Sequence, residues 1–214
     1  VTPVVTQVVP HSVEVSPEVY KIIGENEYLR LIMATWEPGQ ADLQHYHPPF
    51  AAYSLTEIEG MLYYPDGTDW PVKIPADKPM VNRGDESHAF TSTADKKTQL
   101  LIVERKVEAP VVQKNDEPLS HVASPEVYKV VAENDYLRVV VATWQPGQRD
   151  KQHTHPPFAA YIISDVEGML YYPDGGDWPV RVAKGKAMVQ RGGESHAFKN
   201  VGNKECSMLI IEAK

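Results

Sequence analysis

The sequence predicts an all-β protein built as two small barrels in tandem, and three observations carry that prediction. Residues 16–106 align with residues 124–214 at a constant offset of 108 and without a gap, with 55 identities in 91 positions. Self-similarity at a fixed spacing marks a duplicated structural unit. Each copy also breaks into short runs of strand-forming residues divided by proline–glycine turns, the pattern of a sandwich or barrel. Finally, each copy holds two histidines separated by one residue, His45 and His47 or His153 and His155, which share a face only on extended backbone.

The elements follow in chain order. Residues 1–15, rich in Val and Pro and poor in charge, suit an extended arm along a sheet edge better than a helix. Residues 28–36 and 136–144 read as strands ending at the turns Pro38-Gly39 and Pro146-Gly147. The histidine pair comes on the next strand, terminated by Pro48-Pro49 or Pro156-Pro157, which remove backbone donors. A strand over 60–64 runs into the turn Pro65-Asp66-Gly67, repeated over 168–175. Segments led by Arg83-Gly84 and Arg191-Gly192 carry a third histidine, His88 or His196, and apolar strands over 99–104 and 207–212 close the copies. The expected domains are 1–106 and 124–214. The stretch 107–123, with Pro110, Pro118 and a charged middle, is the linker.

Composition narrows the function classes. Hydrophobic residues make up 42% and charged residues 23%, a globular balance that can bury a core. The net charge of -8 and pI near 5.5 leave no electrostatic footprint for nucleic acid or an anionic membrane. Small-molecule ligands remain open. No apolar run approaches the roughly 20 residues needed to cross a bilayer, so a soluble protein is expected, cytoplasmic and exported locations both being open. The sequence opens at Val1 rather than Met, which is compatible with removal or omission of a preceding segment. Cys206 is the single cysteine, so neither an internal disulfide nor a cysteine-cluster metal site is available, and its apolar neighbours predict burial.

Six of the eight histidines fall into the two triplets His45, His47, His88 and His153, His155, His196. Around them the sequence resembles the cupin superfamily, specifically a bicupin. Gly39, five residues, His45, Tyr46 and His47 match the start of the first cupin motif, and Gly60 stands one residue beyond its usual closing glycine. Gly147, His153, His155 and Gly168 do the same in the second copy. For the second motif, Gly84 lies four residues before His88 where the family has three, and the usual proline is absent. Asn200 follows His196 by four, with Ser92 in that place after His88. The resemblance implies two jelly-roll barrels. The family's glutamate ligand would fall at position 51 or 52, but Ala51 and Ala52 stand there, repeated as Ala159 and Ala160. The sites therefore look like those of three-histidine cupins, a group that includes iron dioxygenases acting on diketones, thiols and aromatic substrates.

Three neutral imidazoles leave a divalent ion its full charge and an open coordination position. One ion per barrel is expected, iron first, with Zn, Ni, Mn and Cu open because imidazole suits several of these metals. Metal binding is favoured over inherited, inert histidines. Decay would not spare the same three in both copies while about 40% of the aligned positions changed. Glu86 and Glu194, two residues before His88 and His196, are candidates for a base or a fourth ligand, against a solvent-facing role at the rim. Tyr53 and Tyr161, with Phe90, are candidate pocket walls near the reacting groups. Arg83 and Arg191 are weighed as carboxylate clamps against structural ion pairs. Gln44 and Gln152 are weighed as supports of the ligands against satisfied polar residues between sheets. The leading expectation is an Fe(II)-type dioxygenase acting on a small organic substrate. The alternatives are an isomerase or lyase using the ion as Lewis acid, and a non-catalytic binding or storage protein whose pockets are packed shut by aromatics. Monomer and homodimer are both compatible with the sequence.

Overall fold

The structure is a computed structural model that describes residues 9–106, 111 and 116–214. In the first copy the elements are α1 (Ser12–Val15), β1 (Tyr20–Glu25), β2 (Leu29–Trp36), β3 (His45–Tyr46), β4 (Phe50–Ser54), β5 (Ile58–Tyr63), β6 (Asp69–Ile74), β7 (Pro79–Asn82), β8 (Ser87–Ser92) and β9 (Thr98–Arg105). The second copy has α2 (Ser120–Ala123), β10 (Tyr128–Glu133), β11 (Leu137–Trp144), β12 (Phe158–Ile162), β13 (Val166–Tyr171), β14 (Asp177–Val182), β15 (Ala187–Gln190), β16 (Ala197–Asn200) and β17 (Cys206–Ala213).

Each copy is a pair of antiparallel sheets. A five-stranded sheet in the order β1-β2-β9-β4-β7 faces a four-stranded one in the order β3-β8-β5-β6. Its counterpart β10-β11-β17-β12-β15 faces β14-β13-β16. The inner strands of the five-stranded sheets are buried on both faces, and strand alternation decides what each face does. Along β2, Ile32, Ala34 and Trp36 point into the barrel, while Leu29, Leu31 and Met33 point outward. The outward residues meet Leu137, Val139 and Leu209 of the second copy in one continuous apolar cluster. The barrels are thus stacked back to back through their large sheets. Each Leu→Ala change in such a layer costs about 2–5 kcal/mol.

The contacts between the barrels are reciprocal. Asn26 Nδ2 donates to Gln190 O at 3.2 Å, and Asn134 Nδ2 donates to Asn82 O at 3.2 Å. Arg83 pairs with Asp135 at 2.8 Å, and Arg191 with Glu27 at 3.2 Å. Since 26 and 134, 82 and 190, 83 and 191, and 27 and 135 are each 108 apart, the two halves are related as an isologous pair.

Two sequence expectations change at the termini of the copies. Of the arm 1–15, residues 1–8 lie outside the described residues, but Ser12–Val15 forms a helical turn rather than extended chain. His11 caps it by accepting from Val13 N at 3.3 Å, which competes with an extended backbone. Of the linker 107–123, residues 107–110 and 112–115 lie outside the described residues, while Ser120–Ala123 forms the equivalent turn of the second barrel. Tyr46 N bonds Pro10 O at 3.2 Å and Thr154 N bonds Pro118 O at 3.0 Å. The structural repeat therefore begins at least as early as Pro10 and Pro118. Cys206 is buried as expected, and burial pushes its thiol pKa up to about 11.

Candidate metal centres

His45 enters the first site from β3, whose antiparallel register sets it directly opposite His88 on β8. His47 follows one residue beyond β3, just before Pro48 and Pro49 end the pairing. The ligand atoms of His45, His47 and His88 all lie within 4.8 Å of one another, as do those of His153, His155 and His196. In the second barrel β3 has no full counterpart, yet an isolated bridge between His153 and His196 keeps the same register.

Hydrogen bonds fix which nitrogens carry protons. Leu43 O can only accept, so His45 Nδ1 donates to it at 2.7 Å. His47 Nδ1 donates to Glu104 Oε1 at 2.8 Å. His45 Nε2 and His47 Nε2 face each other at 3.1 Å. His153 and His155 repeat this at 3.1 Å. Ring nitrogens that converge this closely can share one cation, a metal ion or a proton. Burial, then the neighbouring His47, lowers the pKa of His45 to about 3 and of His88 to about 4, which keeps both rings in the ligating form. Burial, then His155, likewise lowers His153 to about 3 and His196 to about 4. These residues fit a divalent ion in each barrel, and the triplets would hold it.

The groups behind the histidines were not singled out from sequence. Glu104, buried at the end of β9, accepts from His47 Nδ1 and also bonds His11 Nε2 at 2.9 Å. Burial opposes its charge, but the two histidines outweigh it and its pKa is lowered. In the second barrel Glu212 holds His155 at 2.9 Å and Arg138 stands 3.3 Å from Glu212, as the equivalent Arg30 stands 3.6 Å from Glu104 beside His11. Carboxylates in this position orient a ligating imidazole and raise its basicity. Tyr20 lies 3.2 Å from His45 Nε2 and donates its hydroxyl proton to Asp42 Oδ2 at 2.8 Å. Tyr128, His153 and Asp150 repeat the arrangement at 3.1 and 2.8 Å. The available signal was identity between copies, since Tyr20, Asp42 and Glu104 each recur at offset 108. Glu104 and Glu212 also close otherwise apolar strands, where a carboxylate has no role in packing.

No family model matches the sequence, and no curated protein matches it. Solved structures do match. A cupin 2 conserved barrel domain protein from Leptotrichia buccalis superposes with a TM-score of 0.54 at 16% identity, over 89% of this chain and 86% of that one. A mutant of salicylate 1,2-dioxygenase from Pseudoaminobacter salicylatoxidans gives 0.59 at 8% identity, over 89% and 72%. An oxalate decarboxylase variant from Bacillus subtilis gives 0.57 at 12% identity, over 87% and 69%. The chain has the bicupin fold.

The chain departs from the ligand pattern of the cupins it resembles in a way the geometry explains. Ala52 lines the cavity beside the histidines, so a carboxylate at that position would face the site, and alanine leaves room there instead. Glu86 and Glu194 line the cavities of their barrels. They lie outside the clustered ligand sets, and it is the Glu86 backbone that bonds the His88 ring. Phe90 lines the first cavity as expected. Its ring also lies where a Cβ on Gly60 would be, which is why the motif's closing residue is glycine.

Tyr53 and Tyr161 correct the sequence reading. They belong to the apolar cluster between the barrels, on the face of β4 and β12 opposite Phe50, Ala52, Phe158 and Ala160. Tyr53 Oη donates to Asp77 Oδ1 at 3.0 Å, away from the histidines. The alternation set by His45 and His47 does not carry through Pro48-Pro49, because the chain changes sheet there and the inward parity switches. Tyr64 and Tyr172 take the place by the site, with ring centroids 6.5 and 6.4 Å from His88 and His196. Arg83 is an inter-barrel ion pair rather than a clamp, and Arg191 pairs with Glu27 while its side lines the second cavity. Gln44 and Gln152 are satisfied by Ser87 and Ser195 at 2.6 and 2.9 Å.

Proposed function

We propose that the protein is a metal-dependent enzyme with one centre per barrel, and that its reaction is a dioxygenation of a small organic substrate. The observation that carries this reading is a carboxylate-free histidine triplet opening into a mainly apolar cavity, with volumes of about 410 Å3 in the first barrel and about 780 Å3 in the second. Both fall within the usual range for small-molecule sites. A bound divalent ion would supply a net positive charge and an open position for an anionic oxygen donor and for dioxygen.

The chain's own residues set what can bind. Phe50, Leu62, Val72, Ile74 and Met80 line the first cavity and favour an apolar body, while the polar end of the substrate faces His47 and His88. Burial of His45, His47 and Ala52 excludes bulk water from the inner wall. Glu86 and Tyr64 stand on the same cavity wall, where a proton can be taken from or returned to the substrate. That pair is also what favours a second reading, an isomerase or lyase in which the ion acts purely as Lewis acid. The non-catalytic reading required pockets packed shut by aromatics, and the open cavities speak against it.

Metal content by mass spectrometry on untagged protein, compared with a His47→Ala/His155→Ala variant, tests the reading. The expected result is one ion per barrel, lost in the variant, and oxygen consumption by iron-loaded protein with members of a panel of diketones, thiols and catechol-like acids. Turnover with Zn or Ni in the absence of oxygen would establish the Lewis-acid reading instead. No metal in the isolated protein and none on reconstitution would end both.

A further inference from the structure

We propose that Trp70 and Trp178 are substrate-contacting residues at the mouths of the two cavities, and that the substrate carries one chelating polar head and an uncharged aromatic body that reaches them. This rests on the metal-centre reading above and deepens it by naming the class of substrate.

The argument begins with strand parity. Trp70 lies directly opposite Leu62 in the pairing of β6 with β5, and Leu62 in turn lies opposite Phe90 on β8. Leu62 and Phe90 line the first cavity, as do Val72 and Ile74, which share a face of β6 with Trp70. Trp70 therefore belongs to the cavity-facing side of the smaller sheet. Because β6 is the edge of that sheet, no further strand covers it, and Trp70 is 63% exposed. Trp178 repeats each feature. It lies opposite Leu170, shares a face of the edge strand β14 with the cavity residues Val180 and Val182, and is 65% exposed. The other two tryptophans are used differently. Trp36 and Trp144 are 3% and 1% exposed and donate to Asp42 and Asp150 at 3.1 and 2.9 Å. Among the described residues neither Trp70 nor Trp178 has such an acceptor.

Packing does not account for these two indoles. Residues 60–72 and 168–180 agree at 12 of 13 positions, against 55 of 91 over the whole alignment. The turn explains the repeated Pro-Asp-Gly, but a tryptophan left mainly in solvent adds little to a core. Its place at the end of an apolar cavity wall gives it a role. An indole offers a flat face on which a planar ring stacks. Trp70 stands two strand spacings across and two residues along from His88, about 12 Å between backbones. A head at the histidines followed by one aromatic ring bridges that span once both side chains reach inward. Charge limits the body as well. The wall of the first cavity holds no lysine or arginine, and Asp69 and Asp177 precede the two tryptophans, so a second anionic group at the mouth is repelled. Arg191 lines the second cavity but is paired with Glu27.

The test uses full-length protein loaded with zinc and two β-diketones, acetylacetone and 1-phenylbutane-1,3-dione, which share a chelating head and differ by a phenyl ring. Calorimetry reads their affinities. We expect Trp70→Ala/Trp178→Ala to weaken the phenyl compound by about fivefold and to leave acetylacetone unchanged. Equal affinities in the variant and the wild type for both compounds overturn the tryptophan proposal and leave the metal centres standing. If neither compound binds the zinc-loaded wild type, chelation at the histidines fails, and this proposal falls with it. A second measurement needs no variant. Bound 1-phenylbutane-1,3-dione should protect wild-type tryptophan fluorescence from acrylamide, acetylacetone should not, and the buried Trp36 and Trp144 serve as the unquenched background. Quenching left unchanged by the phenyl compound overturns the proposal. Indoles already shielded in the ligand-free protein, with a dimer in light scattering, assign them to a second copy of the chain and overturn it as well.

Discussion

At the scale of single residues, His45, His88, His153 and His196 are held neutral by burial, and this has a measurable consequence. In the unfolded chain these histidines take up protons near pH 6.5, whereas burial lowers His45 and His153 to about 3 and His88 and His196 to about 4. Between those limits the unfolded state binds more protons than the folded one, so stability rises with pH and is lost on acidification. Glu104, with a lowered pKa, acts in the same direction below its unfolded value, while Asp42 and Asp150, raised by burial, act against it. Four histidines with large shifts outweigh two aspartates. Chelator-treated protein should show a thermal midpoint that falls steadily from pH 7 to pH 4.5, by several degrees. A midpoint flat across that range would mean that the rings are not held as described.

Among the elements, the turn that carries His47 is tightly constrained. Gly84 has φ of 77°, and a Cβ there would collide with the backbone of His47, Pro48 and Pro49. Gly192 meets His155 and Pro156 in the same way. The left-handed conformation alone costs a non-glycine residue about 1–2 kcal/mol. Gly84→Ala should therefore lower stability by more than that and also displace His47, reducing metal content in the first barrel. Gly39→Ala is the control, because Gly39 has φ of 74° but open space around its Cβ position. Denaturant midpoints and metal content on both variants check this. Equal effects would show that only backbone strain matters. The spacing of Gly84 from His88 was legible in sequence. Its contact with the histidine turn was not, because residues 47 and 84 meet only through the pairing of β3 with β8.

For the whole molecule, the apolar layer between the five-stranded sheets joins two barrels into one body. Residues 9–106 produced alone would expose Leu29, Leu31, Tyr53, Leu101 and Val103, all of them buried in the full chain. A patch of that kind on a free surface drives association. The isolated first barrel should therefore self-associate, and light scattering should find dimers or larger species where the full chain is smaller per barrel pair. A stable monomeric half would show that the layer contributes little. Among the described residues no helix is long and apolar enough to cross a membrane.

What the sequence determined by itself was everything carried by local periodicity and by comparison of the chain with itself. The duplication, the strands ending at Trp36 and Trp144, the turns and the two histidine triplets all follow from patterns within a few residues or from the offset of 108. Tertiary structure alone decided the rest. Glu104 reaches His47 across 57 positions, and Tyr20 reaches His45 across 25, so no window of sequence joins them. Tyr53 was misplaced for the converse reason. Its parity is a local property, but the face to which that parity points was reset where Pro48-Pro49 carries the chain from one sheet to the other, and only the packing of both sheets reveals which face is the cavity.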